Sequence, residues 1–167
     1  RLQDMGVKVM MLTGDNPATA ASVASHVGLA DYRAEVKPGD KARIVQELVA
    51  AGRKVAMAGD GVNDAPALAA ADVGFAMGAG SDVAIETAGV TLMKSDLMAV
   101  ADAIDLSRHT MKKIRQNLFF AFVYNVLGIP LAAVGLLNPV IAGAAMAASS
   151  VSVVSNSLLL RRWRAMR

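Results

Sequence analysis

Lys54-Val55-Ala56-Met57-Ala58-Gly59-Asp60-Gly61-Val62-Asn63-Asp64-Ala65-Pro66 is an apolar strand that runs straight into an acidic, glycine-punctuated turn. This order puts the carboxylates at the carboxyl end of a strand, where open α/β sheets bind their ligands. Gly59 and Gly61 let backbone approach a ligand closely, and Asp60, Asn63 and Asp64 supply hard oxygen atoms of the kind Mg²⁺ takes. The stretch therefore points to a Mg²⁺-phosphate site. The competing reading is an ordinary strand-to-helix loop in which Asp64 caps the helix beginning near Pro66. A dinucleotide fingerprint is disfavoured, because its third glycine would fall at position 64, where an aspartate stands.

Working outward, the same rhythm recurs. Val7 to Leu12 is an apolar run of buried-strand length, and Thr13-Gly14-Asp15-Asn16-Pro17 reads as turn, cap and first helical residue of a helix that Gly28 closes. A strand end followed by a helix amino terminus favours a phosphate, although a plain strand-to-helix turn has the same pattern. Arg33 to Val36 is expected to be a short strand. Lys37-Pro38-Gly39-Asp40-Lys41 then opens a helix with Ile44, Val45, Leu48 and Val49 at helical spacing. Lys41 falls in its first turn, where the helix dipole offers a cation nothing; an anionic partner and simple solvation are both open. Val73 to Met77 and Val90 to Met93 read as strands, with helices at Ala65 to Ala71 and about Ser81 to Thr87. Gly74, Gly78 and Gly80 read as turn residues. Alternating strands and helices predict an α/β fold, a doubly wound parallel sheet with the loops at Thr13, Lys41 and Asp60 converging on one edge.

The rest of the chain changes solvent. Of the 167 residues 54% are hydrophobic, and none from Asn117 to Leu160 is charged. That run is far longer than the roughly 20 residues one membrane helix needs. Leu137-Asn138-Pro139 breaks it, so two spans are predicted, Asn117 to Leu137 and Val140 to Leu160, after a helical stretch beginning near Asp96. The 17 Lys and Arg against 14 Asp and Glu give a net charge of only +3. They crowd around residues 108 to 115 and 161 to 167, which suits membrane flanks and argues against nucleic acid as a partner. Both ends of the hairpin then belong on the cytoplasmic side of a lipid bilayer. The expected domains are 1–106, an α/β part, and 107–167, the membrane hairpin. Cysteine is absent, which excludes disulfides within the segment. A start at Arg1 without Met, entering a strand almost at once, is expected of the carboxy-terminal piece of a longer protein. Polar groups inside a span call for partners, which makes Tyr124, Asn125, Ser149, Ser150, Ser152, Ser155 and Asn156 conspicuous. Met146 lies four residues before Ser150 on one helical face, and its thioether is a soft ligand suited to Cu(I); by spacing alone it equally reads as packing.

Gly59 to Pro66, with Asp60-Gly61-Val62-Asn63-Asp64 at its centre, resembles the hinge motif of P-type ATPases, cation pumps that pass through an aspartyl-phosphate on a haloacid-dehalogenase-like domain. Thr13-Gly14-Asp15 resembles a second motif of the same family. The resemblance implies that Asp60 and Asp64 hold catalytic Mg²⁺ with Asn63 in support. It further implies that Thr13 and Gly14 hydrogen-bond the phosphoryl group of ATP with Asp15 beside them, and that Lys41 neutralises that group and the aspartate carrying it. Tyr124-Asn125 and Met146-Ala147-Ala148-Ser149-Ser150 are similar to the last two membrane helices of the copper(I)-transporting members. That makes Tyr124, Asn125, Met146 and Ser150 candidates for a Cu(I) path, with Ag(I) equally soft. Zinc and cadmium members would be expected to carry a lysine in the first span and an aspartate in the second, and neither is present. The implied protein is a copper(I)-exporting pump of the plasma (inner) membrane, whose partners are the amino-terminal part of the same pump and a copper chaperone. The family's Asp-Lys-Thr-Gly-Thr nucleophile motif is not in this sequence, so the segment alone is expected to be inactive. The rival readings are a membrane-anchored phosphohydrolase of the same superfamily and a non-catalytic membrane scaffold.

Overall fold

The computed structural model of the chain describes residues 1–78, 81–94, 96–136 and 138–165. Gly80, Leu137 and Arg167, expected in a turn, at the end of the first span and in the basic flank, lie outside these. Two compact units are present, Arg1–Ala101 and Asp102–Arg167. Val100 and Ala101 are the last buried side chains of the first unit, and no described residue beyond them is buried.

In the first unit β1 (Met10–Leu12) pairs in parallel with β2 (Asp31–Arg33), and β3 (Ala56–Gly59), β4 (Val73–Met77) and β5 (Val90–Leu92) form a second parallel ladder in that order. The doubly wound sheet expected from the sequence is thus present as two parallel pieces, with β1 and β3 not paired to each other. β2 falls earlier than the Arg33 to Val36 expected. Glu35 adopts φ 55°, and Glu35 and Val36 donate their N–H groups to the carbonyls of Asp15 and Thr13, so the backbone turns where a strand would have continued.

Helices α1 (Pro17–His26), α2 (Pro38–Ala50), α3 (Ala65–Ala70) and α4 (Asp82–Thr87) connect the strands. Asn16 caps α1 by accepting from the Thr19 N–H at 2.9 Å, and Pro17 opens the helix without wasting a donor. The α2 helix turns Ile44 and Val45 inward; Leu68 of α3 is fully buried against Ala76 and Ala84. Gly74 is a strand residue, not a turn: a Cβ there would lie 3.0 Å from the Leu68 carbonyl oxygen, so the glycine lets α3 sit down on β4. At Gly78 an added Cβ would overlap the backbone of Leu92, which makes that glycine a close-approach position of β4 and β5.

Helix α5 (Met98–Ala133) starts in the last residues of the first unit, ahead of the first span, and carries on through Pro130 in the second, where α6 (Pro139–Leu158) forms the second span. The first helix stops at Ala133, short of the 137 expected. Gly135 takes φ +73°, and the Gly135 and Leu136 N–H groups fold back to Ala132 and Leu131, a left-handed helix stop. Asn138 then caps α6, accepting from Val140 N–H at 2.8 Å. Both helices are long and apolar enough to cross a membrane.

Candidate functional site

Asp60 follows the last residue of β3, and a 3₁₀ turn over Val62–Asp64 carries the chain into α3. Asp64 occupies the cap position of α3 yet makes no side-chain cap bond. Its carboxylate turns instead to Lys41, whose Nζ donates to Oδ1 at 2.8 Å. Asp64 is only 8% exposed, and a buried carboxylate is tolerated when a cation pairs with it. Lys41 reaches it because α2 packs against α3 and the 3₁₀ turn. Gly59 has a role that its flexibility alone does not convey: a Cβ at that position would stand 2.7 Å from Asp64 Cβ and 2.8 Å from Oδ2. The glycine keeps the space that the carboxylate fills. Of the two readings of Asp64, helix cap and charged site, the geometry excludes the side-chain cap.

Asp60 and Asn63 are exposed on the same turn. Neither side chain has a hydrogen bond or ion pair among the described residues, and the Asp60 carbonyl accepts from the Ser81 N–H at 3.0 Å, which ties the turn to the start of α4. At the end of β1, Thr13 Oγ1 donates to Asp15 Oδ2 at 2.7 Å and accepts from the Asp15 N–H at 3.1 Å, folding the Thr13-Gly14-Asp15 turn on itself. Gly14 is exposed between them. The structure therefore joins Thr13 to Asp15 and Lys41 to Asp64, and among the described residues no hydrogen bond links the two pairs.

In the hairpin the candidate path residues stay on their own helices. Asn125 Nδ2 donates to the Ala121 carbonyl at 2.8 Å and Ser150 Oγ to the Met146 carbonyl at 3.1 Å. Met146 is 73% exposed and Tyr124 half-buried. What joins the helices is a clasp that sequence spacing did not indicate. Lys113 Nζ donates to Asn156 Oδ1, Asn156 Nδ2 to Asn117 Oδ1, and Asn117 Nδ2 to Ser157 Oγ, each at 2.8 Å. In the same unit Trp163 Nε1 donates to Asp105 Oδ2 at 2.8 Å. The only available signal was that Asn156, an amide in an uncharged run, required a partner.

Residues 1–72 match the model of the haloacid dehalogenase-like hydrolases. The chain is 60% identical, over 96% of its length, to a copper-exporting P-type ATPase of Legionella pneumophila, of which it covers 23%. It is 58% identical, over 98% of its length, to a silver-exporting P-type ATPase of Salmonella typhimurium, of which it covers 21%. A zinc-transporting PIB-type ATPase of known structure superposes over 95% of this chain and 26% of that one, with a TM-score of 0.85 and 39% identity. The chain belongs to the P-type ATPases. It spans about a quarter of the length of the relatives it matches.

P-type ATPases use Mg²⁺, and the donors in this segment suit it. Asp60, Asn63 and Asp64 offer hard oxygens on one turn, with the Asp60 carboxylate unengaged and the Asp64 carboxylate held by a cation on Oδ1. Among the described residues no three acidic, histidine or cysteine side chains gather into a cage. Mg²⁺ keeps several waters and takes one or two carboxylates, completing its shell with phosphate oxygens.

Proposed function

We propose that this chain is the part of an ATP-driven Cu(I)-exporting pump that holds half of the phosphorylation machinery and the last membrane hairpin. The observation that carries it is Asp64, a carboxylate at a helix cap position that forgoes the cap, stays buried and pairs with Lys41. A loop with only a structural task would spend that carboxylate on the orphan N–H groups of α3. In this reading Asp60 and Asp64 would hold Mg²⁺, which when bound offsets the charge of the transferring phosphoryl group. Lys41 lends part of its positive charge to the same place, since an ammonium has three donors and Asp64 takes one. Thr13 Oγ1 and the Gly14 N–H, at the end of β1, are the neutral donors for phosphoryl oxygens, and Asp15 orients the Thr13 hydroxyl. The unpaired edges of β1 and β3 suit a reading in which the aspartate nucleophile, which this sequence lacks, arrives on another part of the pump. Tyr124, Asn125, Met146 and Ser150 contribute to a Cu(I) or Ag(I) path. The absence of charge from Asn117 to Leu160 supports a soft monovalent ion over Zn²⁺. Both hairpin ends lie on the cytoplasmic side of the inner membrane, and a copper chaperone delivers the ion.

The full-length pump tests this in one series. Asp60→Asn abolishes phosphoenzyme formation from γ-labelled ATP, while Asp72→Asn, on an ion pair away from the site, retains it. Met146→Leu conserves volume at an exposed position, so it leaves expression and insertion intact and lowers Cu(I)-stimulated ATP hydrolysis. Wild-type labelling in Asp60→Asn overturns the Mg²⁺ assignment; wild-type Cu(I) turnover in Met146→Leu removes the residue from the path.

A further inference from the structure

Arg108, Lys112, Arg115 and Phe119 recur along α5 at spacings of four, three and four residues, which places them on one face of the helix. Together with Met111 they line an open groove of about 830 Å³. This face is not the one that meets α6, because Lys113 and Asn117 carry the clasp to Asn156 and Ser157. Lys112 and Arg115 are exposed and form no ion pair among the described residues. Phe119, 64% exposed, follows directly where the charges stop and the apolar run begins, and its ring meets Phe120 edge-on at 6.0 Å.

We propose that the face of α5 carrying Arg108, Lys112, Arg115 and Phe119 seats an anionic phospholipid, its phosphate between Lys112 and Arg115 and an acyl chain along Phe119. The order of chemistry along the groove is the argument. Cations come first and an aromatic flank follows in the direction of the hydrocarbon, which is the order headgroup, then chain, of a single amphiphile. A covering protein helix would need acidic groups at the level where the apolar run starts, where charge is costly. A free phosphate ion would account for the cations and leave the exposed aromatic face unexplained. The proposal rests on the membrane reading of α5 and is independent of which metal the pump carries.

Native mass spectrometry of the full-length pump in detergent provides the test, with phosphatidylglycerol and phosphatidylcholine of matched chains titrated in, and inorganic phosphate as competitor. Each cation near an anionic headgroup contributes about a fivefold preference, so Lys112→Gln/Arg115→Gln lowers the preference for phosphatidylglycerol by roughly twenty-five-fold. Lys112→Arg/Arg115→Lys keeps the preference, as does Arg161→Gln/Arg162→Gln at the other basic flank. ATP phosphorylation of the Gln variant stays at the wild-type level, which separates failure at this groove from failure of the pump chemistry. The proposal is overturned by a wild type that holds both lipids equally, by an unchanged preference in the Gln variant, by equal loss in the Arg161 and Arg162 variant, or by displacement of the lipid by inorganic phosphate.

Discussion

The two units solve the burial of polar groups in opposite ways. In Arg1–Ala101 the chain supplies its own interior: Lys41 and Asp64, 23 residues apart, meet because α2 lies on α3, and Asp64 is buried in a unit whose core holds Leu68, Ala76 and Ala84. In Asp102–Arg167 no described residue is buried, and Asn125, Ser150, Ser152 and Ser157 each donate to the carbonyl four residues back on the same helix. That is the arrangement suited to hydrocarbon, where each polar group must find its partner within the protein. Long-range pairing therefore carries specificity in the α/β unit. In the hairpin it is confined, among the described residues, to the clasp around Asn117 and Asn156 and to the bond from Trp163 to Asp105.

If that contrast is right, the largest effect belongs to Lys41. Lys41→Met leaves the Asp64 carboxylate enclosed without a cation. Loss of one partner from a buried pair costs about 3–5 kcal/mol, and since these side chains retain 19% and 11% exposure, about 2–3 kcal/mol is expected here. Denaturant unfolding of the α/β unit measures it. Phosphoenzyme formation is lost as well. Adding Asp64→Asn to Lys41→Met recovers much of the stability without recovering phosphorylation, which distinguishes a charge left stranded from a helix merely weakened. A cost no greater than that of breaking the clasp would erase the contrast between the units.

Breaking the clasp is the intermediate case. Asn156→Leu removes the acceptor of Lys113 and the donor to Asn117 while keeping size and apolarity. Hydrogen bonds between membrane helices are worth about 0.6 kcal/mol on average and less than about 2, so a loss near 1 kcal/mol is expected. Titration of the reconstituted pump with denaturing detergent reads it. Ser150→Ala, whose hydroxyl bonds only within α6, changes that midpoint less; an equal change would mean that the clasp is no more than local back-bonding.

How far the chain could be read beforehand follows the same division. The turn after β3 was legible because its signal is local: an apolar run, two glycines and three oxygen-bearing side chains in succession. Both membrane helices were legible from the stretch without charge. The Lys41–Asp64 pair was not, since each residue was expected to act on a ligand and only the packing of α2 over α3 brings them together. Gly59 read as a place where backbone approaches a ligand closely, and the structure adds that it leaves room for Asp64, which only the packed turn reveals. The shift of β2 escaped notice because Glu35 enters the left-handed region without a glycine or asparagine to announce it. Partners for Asn156 were unreadable, because the register between two helices is a tertiary property. Helix stops were half legible: Pro139 marked the break, while Gly135, which ends α5, lay unnoticed in an apolar run.

The smallest effect is expected at Asp72, which sharpens the contrast by showing what an ion pair is worth when nothing encloses it. Asp72 Oδ1 accepts from Lys54 Nζ at 2.8 Å and Oδ2 from the Val55 N–H at 2.9 Å, pinning the chain just ahead of β3. The hydrogen bond from Lys54, with that from Val55, holds the Asp72 carboxyl below the usual carboxylate range, and the same partner holds Lys54 above its usual value. A lowered carboxyl stabilises the fold above its unfolded-state value, and that contribution fades as the pH falls through the lower folded one. Asp72→Asn should therefore speed hydrogen exchange at the Val55 amide at neutral pH, leave phosphorylation intact, and become indistinguishable from wild type once acid has protonated Asp72. The Lys54 side of the pair fades in the other direction, as the pH rises through its raised value. Salt should mimic the substitution, because two exposed charges are screened by ions that do not reach Lys41 and Asp64. A Val55 exchange rate that responds to neither acid nor salt would mean that the strand, and not the ion pair, holds that amide.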